Sequence, residues 1–306
     1  MTPALFNLQP IRAGGTTIQP EVLASIQQAS ASTGVDFSYL MAQASRESSF
    51  DPTAKASTSS ATGLYQFVEQ TWLGTFKEHA ADYGHGNLAA AITKHSDGTY
   101  SVNSAATRKQ ILDLRRDPTL NAAMAAELAA DNKTKMEAAL GHPVTATDLH
   151  LAHFLGLAGA LRFIRKLDSD PSVTGAAMFP RAAAANQSVF YDEDGHARTV
   201  GEIYASMNKT MSSDQATFAS LGNSQVTGHI NGAATAVAAD TTGTTKAEGT
   251  VQGFSNPGSI LSPLMLITIA ALPTAREEEN NGGAHHGAIH PHVASTINPM
   301  AALGLG

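Results

Sequence analysis

The stretch from Ser45 to Trp72, SRESSFDPTAKASTSSATGLYQFVEQTW, concentrates side chains able to do chemistry. Glu47 lies at the end of an apolar segment of helical period, where a helix C-terminus is expected. The helix dipole is negative there, so its field disfavours a carboxylate and favours the neutral acid. Apolar cover from Phe50, Leu64 or Phe67 would act in the same direction. A carboxyl group kept protonated is what general acid catalysis requires. Taken alone, however, the residue reads as a solvated Glu pairing with a neighbouring Arg or Lys. Further on, Gly63-Leu64-Tyr65-Gln66-Phe67 follows a Ser/Thr/Ala loop. The glycine permits a tight turn or close backbone approach, and Gln66 can both donate to and accept from a sugar. Spacing alone leaves this as a loop glycine ahead of an ordinary helix start.

Taken together, the two stretches carry a resemblance. Glu47-Ser48-Ser49-Phe50-Asp51-Pro52, then Ala54 and Ser57, then Gly63-Leu64-Tyr65-Gln66-Phe67 resemble the two leading motifs of the SLT-type lytic transglycosylases. Those motifs read Glu-Ser-x-Phe-(Asn/Asp)-Pro and Gly-Leu-(Met/Tyr)-Gln-(Phe/Leu). Asp117-Pro118 with Asn121 and Met124 is similar to the family's later helix entry. The likeness extends over roughly residues 20–208. It implies a mainly α, lysozyme-like transglycosylase domain acting on peptidoglycan glycan strands. Glu47 would be the catalytic acid and then base, with Ser48 beside it. Tyr65 and Gln66 would line the sugar cleft. The implied reaction cleaves the MurNAc–GlcNAc β-1,4 bond and closes a 1,6-anhydro ring on MurNAc.

The chain departs from the family pattern in one place. Where a third motif, Ala-Tyr-Asn-x-Gly, is expected, the sequence reads Ala152-His153-Phe154-Leu155-Gly156. His153 can replace the Tyr as a hydrogen-bonding group, whereas Phe154 cannot replace the Asn amide. His153 reads equally as a helix histidine satisfied by the core. A late tyrosine contacts the acid in the family; Tyr191 and Tyr204 are candidates, and Tyr204 in its helical context is preferred. Two-carboxylate hydrolases need a partner acid across the bond. Asp51, before Pro52, suits a turn anchor, and Glu69 suits a helix start. Neither is assigned as that partner.

These side chains need a scaffold. Pro20–Ser30 carries Val22, Leu23, Ile26 and Ala29 at helical spacing. Asp36 is an N-cap for a helix over Phe37–Ser48, stopped by Asp51-Pro52. Further helices are expected over Glu69–Tyr83, Ala105–Leu114, Pro118–Leu140, Thr147–Leu167, Ala176–Ala185 and Val200–Asn208. Asp97-Gly98 predicts a small hairpin between Ile92 and Val102. Trp72, the only tryptophan, reads as core. The domain division is therefore an irregular lead-in over 1–19, a catalytic domain over 20–209, and a tail over 210–306. Rich in Ser, Thr, Ala and Gly and without apolar period, that tail is expected to be disordered.

Composition bounds the function. The 306 residues carry 42% apolar and only 15% charged side chains, with a formal charge of −7. A nucleic-acid partner is not expected, because phosphate tracking needs a Lys/Arg excess. The absence of cysteine removes thiol nucleophiles, thiolate metal sites and disulfides. No metal or organic cofactor is required. His150 and His153 lack a third ligand for zinc, and Tyr191–Gly195 lacks calcium-loop spacing. His285, His286, His290 and His292 offer no fixed geometry. Leu264–Leu272 is too short for a membrane span, and the first residues do not form a standard secretory signal. A periplasmic location, or export by a non-standard route, follows from the implied substrate. The alternatives are a lysozyme-like muramidase, or a non-catalytic peptidoglycan-binding accessory. A secretion or flagellar apparatus is a partner the tail could dock.

Overall fold

The computed structural model describes residues 9–57 and 59–223. It is mostly helical, with two small antiparallel hairpins. β1 (Ile11–Ala13) pairs with β2 (Thr16–Ile18), and Ile18 is fully buried. The expected irregular lead-in thus contains an ordered hairpin whose last residue enters the core. Three-residue strands are too short to show a period, and the signal that marks this hairpin is its turn, Gly14-Gly15, with both residues left-handed.

Helix α1 (Pro20–Thr33) begins with proline at its first turn and ends at Gly34 in the left-handed region. Helix α2 (Phe37–Ser48) is capped by Asp36, whose Oδ1 accepts from Tyr39 N at 2.8 Å. Helix α3 (Glu69–His79) stops four residues before the expected Tyr83, in a series of turns leading to the short α4 (Gly86–Ala90). The predicted hairpin is β3 (Ile92–Lys94) with β4 (Tyr100–Val102), turning at Gly98, whose φ is +83°. Helix α5 (Ala105–Asp113) is followed by one 3-10 turn. Helix α6 (Pro118–Leu140) has its expected bounds because each end is marked. Asp117 accepts from Leu120 N at 2.9 Å, and Gly141 is left-handed at the other end.

Helix α7 (Ala146–Ser169) opens with a reciprocal capping box between Thr145 and Asp148, and is broken internally at Gly156. The helix expected over Ala176–Ala185 is two short pieces, α8 (Gly175–Met178) and α9 (Pro180–Ala185). Pro180 lacks an N–H and cannot continue the first piece. After α10 (Gln187–Phe190) comes α11, which runs from Val200 to Phe218, ten residues beyond the expected Asn208. The boundary drawn at 209/210 therefore falls inside a helix. Met211 and Phe218 are buried, and Phe218 packs edge-on against Phe50 with ring centroids 5.5 Å apart. The rest of the expected tail, including Leu264–Leu272 and the four distal histidines, lies outside the described residues.

Two large hydrophobic cores result, beside a small cluster of Ala56, Ala61 and Val68. The first gathers α1, α2, α3 and the first half of α6, with Trp72 fully buried and its Nε1 donating to Ile111 O at 2.8 Å. The second gathers Met136, α7, the short α8–α10 and the start of α11. Helix α6 packs along both α1 and α7, and α11 packs along both α2 and α7, so two long helices tie the cores together. No helix among the described residues is long and apolar enough to cross a membrane.

Candidate active site

Glu47 sits one residue from the end of α2, on a face with Tyr39 and Gln43 at four-residue spacing. All three are buried, although the rest of that helix face is apolar. Opposite them, α7 presents His150 and His153 at three-residue spacing. His153 Nε2 lies 3.0 Å from Glu47 Oε1, and His150 Nδ1 lies 3.3 Å from Gln43 Oε1. Gln43 Nε2 in turn donates to the Tyr39 hydroxyl at 3.1 Å. Two polar rungs thus bridge the first core to the second.

The Glu47 side chain has no exposed surface, while that of His153 is 24% exposed. Glu47 Oε2 is buried and has no hydrogen-bond partner. Such an atom costs about 1–3 kcal/mol relative to a paired one, so its retention points to use. Burial pushes the His153 imidazole downward, but the Glu47 carboxylate, through its charge and its hydrogen bond, wins and holds it above the usual range. His150 goes the other way. Burial, then the nearby Arg46 and His153 cations, push it down to about 3, so it stays neutral. Burial pushes the Tyr39 hydroxyl up to about 12, with the Glu47 charge adding to the shift. Arg46 is occupied by Asp214 of α11 at 2.6 Å.

The chain leaves α2 through two successive left-handed residues, Ser49 (φ 52°) and Phe50 (φ 66°). Non-glycine residues in that region cost roughly 1–3 kcal/mol each and need surrounding support. Support comes from the buried Phe50 ring and from Ser48, whose hydroxyl donates to Leu64 O at 2.7 Å. Ser48 therefore ties the end of α2 to the Gly63–Phe67 loop. Asp51 anchors the next turn as expected, accepting from Thr53 N and Oγ1 at 2.7 Å. Glu69 opens α3 and pairs with Arg108.

The Gly63–Phe67 loop is fastened from below. Asn121 Oδ1 accepts from Tyr65 N at 2.9 Å, and its Nδ2 donates to Arg115 O at 2.7 Å. The Arg115 guanidinium donates to Ser60 O and Phe67 O. Gly63 (φ +91°) is required here, because a Cβ would lie 2.0 Å from Arg115 O. Tyr65 is buried and its hydroxyl donates to Leu40 O at 3.0 Å, so it braces the core. Gln66, left-handed at φ 47°, is also buried. Its Nε2 donates to Ala54 O and Gly63 O, and only Oε1 is left without a partner. Where a cleft-lining position was expected for each, both side chains are buried, because a loop this tightly turned consumes most of its own polar groups.

Tyr204 also lies elsewhere than expected. Its hydroxyl donates to Asp148 Oδ1 at 3.0 Å and lies 3.2 Å from Thr145 Oγ1, joining α11 to the capping box of α7. Phe154 is fully buried against Phe190, so the position where the third motif would supply an amide belongs to the second core. Tyr39 and Gln43 carried no expectation from the sequence, and His150 was weighed there only as a zinc ligand, not as a partner of Gln43. Their signal was polar side chains recurring at helical spacing on two otherwise apolar faces.

Residues 24–147 match the family model described as the transglycosylase SLT domain. The chain carries an SLT domain. That assignment covers Glu47, the Gly63–Phe67 loop and Asn121, and it makes the helical scaffold lysozyme-like. An SLT domain supports lytic-transglycosylase-type activity on peptidoglycan. The match ends before His150 and His153, so two of the five side chains of the polar seam lie outside the recognised SLT segment.

Proposed function

We propose that the protein is a peptidoglycan lytic transglycosylase in which Glu47 is the single acid and base. The observation that carries this reading is the buried Glu47 carboxyl, held on one oxygen by His153 and unpartnered on the other. Glu47 protonates the glycosidic oxygen as the C1–O bond breaks, and the GlcNAc-ended strand departs. The MurNAc N-acetyl group assists at C1. The Glu47 carboxylate then removes the proton from the C6 hydroxyl as O6 closes on C1. No water is consumed and the enzyme regains its starting proton. The substrate places the working protein outside the cytoplasm, in the periplasm for an envelope with two membranes.

Mass spectrometry of purified peptidoglycan digested by the full chain, beside its Glu47→Gln variant, tests the reading. Anhydro-muropeptides are expected from the first. The variant should fall by about 10²–10⁴-fold while keeping its circular dichroism spectrum. Reducing-end products would make it a muramidase. Equal turnover by the variant would remove Glu47 from the chemistry, and binding without any product would leave a peptidoglycan-binding module.

A further inference from the structure

Of the polar groups buried between α2 and α7, His153 is the one with a partly exposed side chain that also touches Glu47. Its neighbours do not compete for a proton. On α2, Tyr39 and Gln43 are neutral and Arg46 is neutralised by Asp214 of α11; on α7, His150 is neutral. Glu47 Oε1 has His153 Nε2 as its partner, and no hydrogen bond reaches Oε2. Nδ1 of His153 has no protein partner among the described residues. The imidazole therefore bonds a fully covered carboxyl through one nitrogen, while the His153 side chain as a whole is partly exposed. Its placement is fixed by the backbone. Gly156, at φ 72° and ψ 164°, breaks α7 three residues later, in a region open essentially to glycine alone.

We propose that His153 is the proton store of Glu47, holding between turnovers the proton that Glu47 delivers to the glycosidic oxygen. The inference rests on the reading of Glu47 as the acid. In the resting pair the imidazolium Nε2–H donates to the Glu47 carboxylate. A sugar entering the cleft excludes water, and an ion pair loses more by desolvation than a neutral pair does. The proton crosses from Nε2 to the carboxylate, leaving neutral His153 and a protonated Glu47. Glu47 gives that proton to the glycosidic oxygen as the C1–O bond breaks. It recovers a proton from the C6 hydroxyl as O6 bonds to C1, and returns it to Nε2 when product leaves. Each proton is accounted for, and no co-reactant is needed. His153 never touches substrate and is a positioning residue acting through Glu47. An acid fed in this way works near neutral pH because its supply titrates with histidine, whose value the Glu47 carboxylate holds above the usual range.

Two measurements on the full chain decide the matter. The first is the pH profile of kcat/KM on solubilised glycan strands for the wild type and His153→Gln. Glutamine keeps a donor toward Oε1 but stores no proton, so the variant must keep its proton on a carboxyl alone. Its alkaline limb should move to lower pH by about one unit or more. The second reads no activity: the His153 imidazole is titrated by NMR in the wild type and in Glu47→Gln. Removing the carboxylate should lower the His153 titration by about one unit or more. Superimposed pH profiles, or an unmoved imidazole titration, overturn the proposal. Should His153→Gln be inactive throughout, the imidazole titration alone decides. If the wild type releases no anhydro-muropeptides, the functional reading fails while that titration still reports whether the pair shares its proton.

Discussion

The two walls that meet at Glu47 are built on opposite terms. On the first-core side, the segment from Ser48 to Phe67 spends its polar groups on itself and on the helices that brace it. Ser48 binds Leu64, Gln66 binds Ala54 and Gly63, and Tyr65 binds Leu40 and Asn121. On the α7 side, His150 and His153 reach across to another helix, and the His153 side chain stays partly exposed. One wall is scaffold that fixes where Glu47 stands; the other supplies the group that meets its carboxyl. Motif residues nearest Glu47 in sequence are thus mostly tied into the scaffold, and the side chain that bonds its carboxyl lies more than a hundred residues away.

The comparison breaks first if a change on the scaffold wall acts on chemistry alone. Glu47→Gln should cost the largest factor in turnover and little in stability, as set out above. Gly63→Ala should do the reverse. Its Cβ would meet Arg115 O at 2.0 Å and Asn121 Nδ2 at 2.6 Å, on a backbone already at φ +91°. Neither neighbour can move without releasing the loop, because Asn121 also holds Tyr65 N. A loss of about 3 kcal/mol or more is expected, read as a lower midpoint in thermal or urea denaturation. A variant that melts like the wild type yet turns over slowly would show the loop to be part of the chemistry.

This division explains what could be read from the residues beforehand. Helix bounds were legible where an end is marked chemically. Asp36 and Pro118 each placed a helix start, and Asp97-Gly98 placed the β3–β4 turn. Glu47 was legible because its neighbours repeat a spacing seen in the SLT pattern. The orientation of Tyr65 and Gln66 was not, since a left-handed residue at Gln66 turns its side chain inward and nothing in its type announces that. His153 was half legible. Its contact with Glu47 depends on where α7 breaks, and Gly156 reads the same whether it bends a helix or sits within one. The end of α11 was misplaced because Ser, Thr, Ala and Asp dilute its apolar period, leaving Met211 and Phe218 as single contacts.

That last element sharpens the picture of the first wall. Phe218 closes the core beneath the two left-handed residues after Glu47, touching the Phe50 ring. Phe218→Ala should lower stability by about 3 kcal/mol, as for other large-to-small core changes, and a chain ending at residue 209 should lose more. Both are read by thermal melting. If the shortened chain melts with the full one, Ser49 and Phe50 hold their conformation without this cover and the hydrophobic support assigned to α11 is wrong.

The smallest effect belongs to Tyr204, and it tests whether the second wall has a role beyond holding His153. The Tyr204 hydroxyl is bonded to Asp148 Oδ1 and lies beside Thr145 Oγ1, the two residues that cap α7. Burial, opposed by the Thr145 bond and aided by the Asp148 charge, raises this phenol, so it acts as a neutral donor. Tyr204→Phe removes that donor while Thr145 N and Oγ1 continue to serve the other Asp148 oxygen. The expected loss is about 0.5–1.5 kcal/mol in denaturation, with kcat/KM on glycan strands left as it was. A drop in kcat with unaltered stability would place Tyr204 beside the reacting sugar in the bound state. The cores would then have to shift against each other on binding, carrying α11 toward Glu47.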